Sequence, residues 1–421
     1  MNPLKWFRDT KLHTKILLAM LLGIPLGLIL GPSAATIRPV GTIFIRLIRM
    51  IVVPLVFASL FVGTASLGDI RKLGRIGLKT MGYYLCTTAL AIMIGLLLAN
   101  AVGPGRSIDE ETREGLMASY AAEAGEKIEI VMEKPGVIDT LLEIVPINPL
   151  RALAEGNLLQ VIFFALMFGI AATLVPGGRA KPLIEFFEAV NEAMIKLVHI
   201  VMKMAPLGVL ALITAVVGQF GTDILVSLLS YSLLVVAGLT IHIIFVYSMA
   251  VRVFTGMSPL EFFRGIRPAQ LIAFSTSSSS ATLPVTMECA EDNLGVSNEV
   301  ASFVLPLGAT VNMDGTALYQ GIAAVFIAQV YGIGLTIGDQ LTIVLMATLA
   351  SIGAAGVPGV GIFTLAMVLE QIGVPIEGIA LILGVDRVLD MMRTVVNVSG
   401  DASASVIVAH SEGELGEPRN A

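Results

Sequence analysis

Charge is what this chain has least of. Only 14% of its 421 residues are Asp, Glu, Lys or Arg, where soluble domains run near ~25%. With 56% hydrophobic residues, a water-soluble globule of this length would have too little polar surface to cover itself. That class is excluded, and a polytopic membrane protein is implied by the mean hydropathy of +0.88. Cysteine is nearly absent: Cys86 and Cys289 stand in apolar or small-residue contexts without CxxC spacing, which excludes a disulfide framework or thiolate metal centre and leaves packing roles. The four histidines, His13, His199, His242 and His410, fall outside every polar motif described below. A serine nucleophile would therefore lack a base in sequence. No basic stripe offers itself to nucleic acid. The net charge of −6 matters less than where the cations sit.

Lys5, Arg8, Lys11 and Lys15 precede the first apolar run, which reads as a span rather than a cleaved leader. Later connections carry Arg71, Lys72, Arg75 and Lys79, then Arg179 and Lys181, then Arg252, Arg264 and Arg267. The positive-inside rule makes these cytoplasmic, together with the N-terminus. The connection over residues 104–135 is acidic, with Glu110, Glu111, Glu114 and Glu123 among its carboxylates, and is expected outside. The closing SEGELGEPRNA reads as a solvated tail. Spans of the ~20 apolar residues a bilayer core requires are expected near 14–32, 41–67, 78–102, 137–176, 193–218 and 224–253. The fourth is too long for one straight crossing; Pro146, Pro149 and the cluster Arg151, Glu155, Gly156 and Asn157 predict a broken helix.

After residue 258 the apolar runs shorten to lengths that cannot span. One rises to Ser275-Thr276-Ser277-Ser278-Ser279-Ser280 and Pro284; another rises to Ser351-Ile352-Gly353-Ala354-Ala355-Gly356-Val357-Pro358. Both read as re-entrant hairpins with non-helical tips, which membranes tolerate only where the tip is buried in protein or lines a wet cavity. Each tip is followed by a polar helix at matched spacing: Pro284 precedes Asn312 by 28 positions, and Pro358 precedes Asp386 by the same 28. Paired interrupted segments of this kind point to the midplane site of a secondary transporter.

The second of those helices carries GVDRVLDMMRTVVNVSGD. At about 100° per residue, Asp386, Asp390, Arg393, Thr394, Asn397 and Asp401 share roughly a 100° sector of one face. Ionisable groups in hydrocarbon cost about 3 kcal/mol or more each, so they persist where they pair, line water or bind a ligand. A guanidinium presents a planar fork to a carboxylate, and Asp390, one turn away, suits an ammonium.

SSSSATLP, PLGATVNMDGTALYQ, SIGAAGVPG and DMMRTVVNVSGD together resemble, in order and spacing, the signatures of the glutamate transporter family, the dicarboxylate/amino acid:cation symporters. The resemblance extends over nearly the whole chain. It implies an all-α polytopic membrane protein with eight transmembrane helices, two re-entrant hairpins and inverted repeats, working as an elevator within a homotrimer of the plasma (inner) membrane, both termini cytoplasmic. The family's division would make 1–77 scaffold, 78–135 a transport-domain helix with the acidic external loop, 136–222 scaffold, 223–410 transport domain and 411–421 tail.

The resemblance also assigns roles. Arg393 would take the substrate's side-chain carboxylate, Asp390 its ammonium, and Thr394 and Asn397 its α-carboxylate, with Ser277, Ser279, Thr316, Val357 and Gly361 completing the pocket. Sodium would be held by Gly308, Asn312, Asn397 and Asp401; by Tyr84, Thr87, Thr88, Asn312 and Asp314; and by the backbone at Thr310, Ser351, Ile352 and Ala354. Hard cations favour such oxygen donors, and a broken helix such as VNMDG frees carbonyls that water would otherwise satisfy; apart from the resemblance, Tyr84, Thr87 and Thr88 read as plain interhelical hydrogen bonding. The chain departs from archaeal relatives, which have arginine at the position of Ser277, and from animal relatives, which have it at the position of Met391. Arg387, three residues before Asp390, could substitute by pairing with that carboxylate; the alternatives are that it snorkels or pairs with Asp386. Family members that carry succinate lack the acid found here at Asp390, and proton-coupled bacterial members tend to have Asn at the position of Asp401. The expectation is a sodium-coupled carrier of L-aspartate or L-glutamate, with a proton-coupled glutamate or C4-dicarboxylate carrier as the alternative.

Overall fold

The computed structural model describes residues 12–65, 70–106, 145–220, 223–352 and 358–418. Helix α1 (Leu12–Leu30) passes through a 3-10 turn (Gly31–Ile37) into α2 (Arg38–Ala65), and α3 spans Ile70–Val102. The expected break in the fourth span is present: α4 (Pro149–Glu155) ends at Gly156 with a left-handed φ of 75°, and Asn157 caps α5 (Leu158–Thr173). Arg151 and Glu155, expected between the two halves, instead lie within α4 and pair at 2.8 Å.

The expected span at 193–218 is corrected. Helix α6 begins at Lys181 and ends at Met202, α7 runs Ala205–Phe220, and the pair is bent by 49°. Pro206, in the first turn of α7, has no N–H with which to continue the ladder of α6. Helix α8 (Asp223–Ile241) continues through a π turn (His242–Tyr247) into α9 (Ser248–Thr255). Short α10 (Pro259–Gly265) leads to α11 (Arg267–Thr276) and α12 (Ser279–Glu288), the first hairpin. Then come α13 (Asn298–Val311), α14 (Asp314–Val330), α15 (Ile337–Ile352), α16 (Val360–Gln371) and α17 (Ile379–Glu412).

Among the described residues no strand forms, only an isolated bridge between Val296 and Leu415. The protein is a helical membrane protein. Thr14–Val62, Arg75–Val102 and Val226–Thr255 are long and apolar enough to cross a bilayer, and the bent α6–α7 pair passes the same test jointly. Helices α15 and α16 are apolar but shorter than a bilayer crossing requires.

Packing divides the helices. Helices α1, α2, α5, α6 and α7 pack largely on one another, while α3, α8, α9 and α11 to α17 form a second group around α14 and α17. Every residue of α14 from Asp314 to Ala328 is buried, so this helix has no lipid face. The groups meet where α1 and α7 touch α17 and α16 touches α2. Small residues let backbones approach closely where a hydrophobic driving force is weak: a Cβ on Gly315 would lie 2.5 Å from the carbonyl oxygen of Arg393, so α14 starts directly against α17.

Two further expectations change. The tail is not free of the fold: Ser297 N–H donates to Glu414 O at 3.1 Å and Gly416 N–H to Gly295 O at 2.8 Å. Glu412 also pairs with Lys79 at 2.6 Å and with Arg75. Cys289 is buried beside Ala269, Ala273 and Val398, whereas Cys86 is exposed rather than packed in a core.

Candidate functional site

Helix α17 buries the whole polar stripe. Asp386, Asp390, Arg393, Thr394, Asn397 and Asp401 are all buried, and Arg393 is 0% exposed. The guanidinium carbon lies over the Tyr319 ring, 3.8 Å from its centroid, a cation–π contact. Nη2 donates to Asp390 Oδ1 at 2.9 Å, and Nη1 stands 3.0 Å from Asp386 Oδ1. Nε is buried without a hydrogen-bond partner. A buried cation is tolerated only with such compensation, and here two carboxylates of its own helix supply it. Asp390 Oδ2 accepts from Gly359 N–H at 3.1 Å, which links α17 to the start of α16, and lies 3.3 Å from Arg387 Nη1. The pairing of Arg387 with Asp390 anticipated from their spacing is therefore present.

The first tip meets this face through α11, which packs on α17 and is tied to it by Gln270 Nε2 donating to Ser399 Oγ at 3.0 Å. Ser277 holds a left-handed φ of 52°, the one such non-glycine conformation among the described residues. It costs energy that surrounding structure must offset, a mark of functional turns. Its hydroxyl is buried with no hydrogen-bond partner, while Ser278 caps α12 by accepting from Ala281 N–H at 3.1 Å. Ser279 is buried beside it. At the second tip, a Cβ on Gly361 would sit 3.3 Å from Arg393 Nη1 and 3.2 Å from Thr316 Cγ2, so its backbone closes directly over the guanidinium. Val357 and Ala354 lie outside the described residues.

The break between α13 and α14 supplies the rest. Asn312 is extended (φ −93°, ψ 100°) and α14 restarts at Asp314, as VNMDG implied. Asn397 Oδ1 accepts from Gly315 N–H at 2.8 Å, and its Nδ2 reaches Thr316 Oγ1 at 3.4 Å. Thr394 bonds back to Asp390 O at 2.8 Å.

The residues expected around cations form separate clusters. Asn312 Nδ2 donates to Asp401 Oδ1 at 2.8 Å and to Asn397 O at 3.2 Å, and Asn312 Oδ1 is buried without a partner. Gly308 lies against Asp401 and the Tyr84 hydroxyl, with no room for a Cβ. Asp314 forms the second cluster: Thr88 donates to Oδ1 at 2.6 Å and Tyr247 to Oδ2 at 2.8 Å. Tyr84 and Thr87 hydroxyls are spent on the carbonyls of Val304 and Tyr84. In the third set Ser351 Oγ donates to Val311 O at 3.3 Å, bringing the ends of α15 and α13 together near the Ile352 backbone, while the Thr310 hydroxyl turns back to Leu307 O. The buried Asp401 carboxylate beside the unpartnered Asn312 amide oxygen offers the oxygen donors that a hard cation favours. Among the described residues no cluster of three His, Cys, Asp or Glu of the kind that holds a transition metal occurs.

Three residues escaped the sequence reading. Tyr319 lay in a motif already singled out but was given no role, whereas Asp386 was expected on the shared face without being assigned to Arg393. His242 and Tyr247 gave no such signal. Their rings meet at 4.7 Å, and His242 Nε2 comes within 3.4 Å of Asp314, because the π turn rotates both inward. So His242, remote from the polar motifs in sequence, adjoins one in space; it faces Asp314 rather than the serine tip.

The pattern of the sodium:dicarboxylate symporter family matches residues 12–411. The chain is 40% identical over 416 residues to the proton/sodium-glutamate symport protein of Geobacillus stearothermophilus, covering 98% of this chain and 97% of that one. It is 39% identical to the proton/glutamate-aspartate symporter of Escherichia coli (strain K12), covering 94% and 92%. To the C4-dicarboxylate transport protein of Bacillus subtilis (strain 168) it is 34% identical, covering 99% and 97%.

Proposed function

Because this chain belongs to the sodium:dicarboxylate symporter family, a family of carriers and not of enzymes, we propose that it is a sodium-coupled symporter of L-glutamate or L-aspartate in the inner membrane. Symport of glutamate or related dicarboxylates with a cation is the common ground of the relatives. The observation that carries the narrower reading is the buried Asp390–Arg393 pair at 2.9 Å beneath two hairpin tips. An amino acid with a second carboxylate exchanges both partners at once, its carboxylate taking the guanidinium and its ammonium taking Asp390. A C4-dicarboxylate offers nothing to Asp390.

The substrate pocket we propose comprises Ser277, Ser279, Thr316, Val357, Gly361, Asp390, Arg393, Thr394 and Asn397. Sodium travels at the Asp401–Asn312–Gly308 and Asp314–Thr88 clusters, whose acids need a counter-charge once buried. Neutralising them organises the broken α13–α14 segment that also holds Asn397, and this is how ion and substrate binding favour each other. The helices around α14 and α17 form the moving body, α1, α2 and α5 to α7 the static one, within a homotrimer whose termini are cytoplasmic.

The test is uptake of labelled L-aspartate, L-glutamate and succinate into proteoliposomes under a sodium gradient, with a proton gradient as the comparison. Accumulation of the amino acids under sodium alone is expected. Uptake driven by protons alone overturns the coupling, and a preference for succinate overturns the substrate assignment.

A further inference from the structure

A cavity of about 1090 Å³ lies between the two groups of helices and reaches Asp386, Arg387, Asp390 and Gly359 of the site. Its opposite wall carries Lys196 and Lys203. They are seven residues apart, two helical turns, with Ile200 of the same wall between them, so one face of α6 looks into the cavity. Lys203 stands at the 49° bend between α6 and α7, inside an apolar pair long enough to cross a bilayer. Lysine in such a span persists where it lines water or meets an anion. Among the described residues neither lysine has a carboxylate partner, and the acids across the cavity are already engaged by Arg393 and Arg387. The lysines therefore add positive potential to an otherwise mostly apolar vestibule.

We propose that Lys196 and Lys203 form an antechamber for acidic amino acids, attracting the substrate's carboxylate as it passes between Arg393 and the compartment on the side of the N-terminal end of α1, whose Lys15 and Ile16 also line the cavity. The inference rests on the carrier reading above and adds a role to the static body. At separations near 10 Å in a water-filled vestibule, each lysine changes the local anion concentration roughly twofold at low salt.

The full chain is reconstituted in vesicles of known orientation, and half-saturating L-glutamate is measured from each side. Lys196→Gln with Lys203→Gln is expected to raise it roughly fourfold on the side of the α1 N-terminus and leave the other side unchanged. Lys196→Arg with Lys203→Arg is expected to match the wild type, and 500 mM choline chloride to erase the difference. An equal rise on both sides, no rise, or an arginine pair that behaves like the glutamine pair overturns the antechamber. Wild-type vesicles that take up no acidic amino acid overturn the carrier reading itself, and the antechamber with it.

Discussion

Arg393→Gln removes a guanidinium that is wholly buried and held by two acids and a tyrosine ring. Asp390 keeps Gly359 N–H and Arg387. Among the described residues Asp386 forms no ion pair other than the one with Arg393, so it becomes an uncompensated buried charge. Breaking a buried pair from one side costs about 3–5 kcal/mol. That cost falls on the fold; losing one partner of a buried charge pair between protein and ligand costs about 2–5 kcal/mol, so at about 1.4 kcal/mol per decade L-glutamate affinity should fall roughly 30- to 3,000-fold. On the proposed role of Arg393 two effects contribute: loss of its charge-assisted bond to the substrate carboxylate, and repulsion of that carboxylate by Asp386. Arg393→Gln with Asp386→Asn separates them. The double variant should recover the yield of monodisperse protein and up to about tenfold of the affinity, yet remain far below wild type. Neutral amino acids such as serine should gain relative to glutamate in both. The assay is isothermal titration of purified protein in saturating sodium. A well-folded double variant that binds L-glutamate within about threefold of wild type would refute the assignment of Arg393, because no charged hydrogen bond lost from a buried site is worth so little.

Asp390→Ser removes the proposed ammonium partner, so competition assays should show succinate gaining on L-glutamate by roughly tenfold or more; an unmoved preference rejects that role. Asp314→Asn keeps a side chain of the same shape between Thr88 and Tyr247 but deletes a buried charge, and the sodium concentration for half-maximal uptake should rise roughly tenfold or more. Unchanged sodium dependence would leave Asp314 a packing residue. Glu412 is held below the usual glutamate range, first by its hydrogen bond to Lys79 and then by Arg75. A depressed carboxyl contributes above its unfolded pKa near 4.3 and loses that contribution as pH falls through the lower folded value. The tail should thus stay docked at neutral pH and become protease-sensitive in acid, at a higher pH in Lys79→Gln; cleavage at one common pH in both proteins would deny the strap.

Much of the architecture was legible because the bilayer constrains sequence strongly. Short apolar runs, the serine tip and VNMDG announced interrupted helices, since such segments can neither span nor remain unsatisfied in lipid. The α17 stripe was legible for the same reason: charged residues at three- and four-residue spacing must share a buried face. What escaped depended on contacts distant in sequence or on altered helical register. The π turn at 242–247 turned His242 and Tyr247 toward Asp314, and a period-3.6 reading cannot anticipate an extra residue in a turn. The tail looked solvated because its composition is polar, yet backbone bonds at Gly295 and Ser297, which composition does not encode, hold it. The bend between α6 and α7 had its cause in Pro206, hidden inside a run apolar enough to read as one span.

By itself, the order of residues determined that this is a membrane-embedded carrier with a buried acid and guanidinium on one helical face, because local periodicity and the cost of charge in hydrocarbon act through neighbouring positions. Only the tertiary structure decided who partners whom: that Asp386 and Tyr319 immobilise Arg393, that Asp314 gathers groups from α3 and the π turn, and that α6 presents two lysines to the cavity. Those choices arise from how separate helices approach one another, and close packing within a low-dielectric interior selects them after each helix has formed.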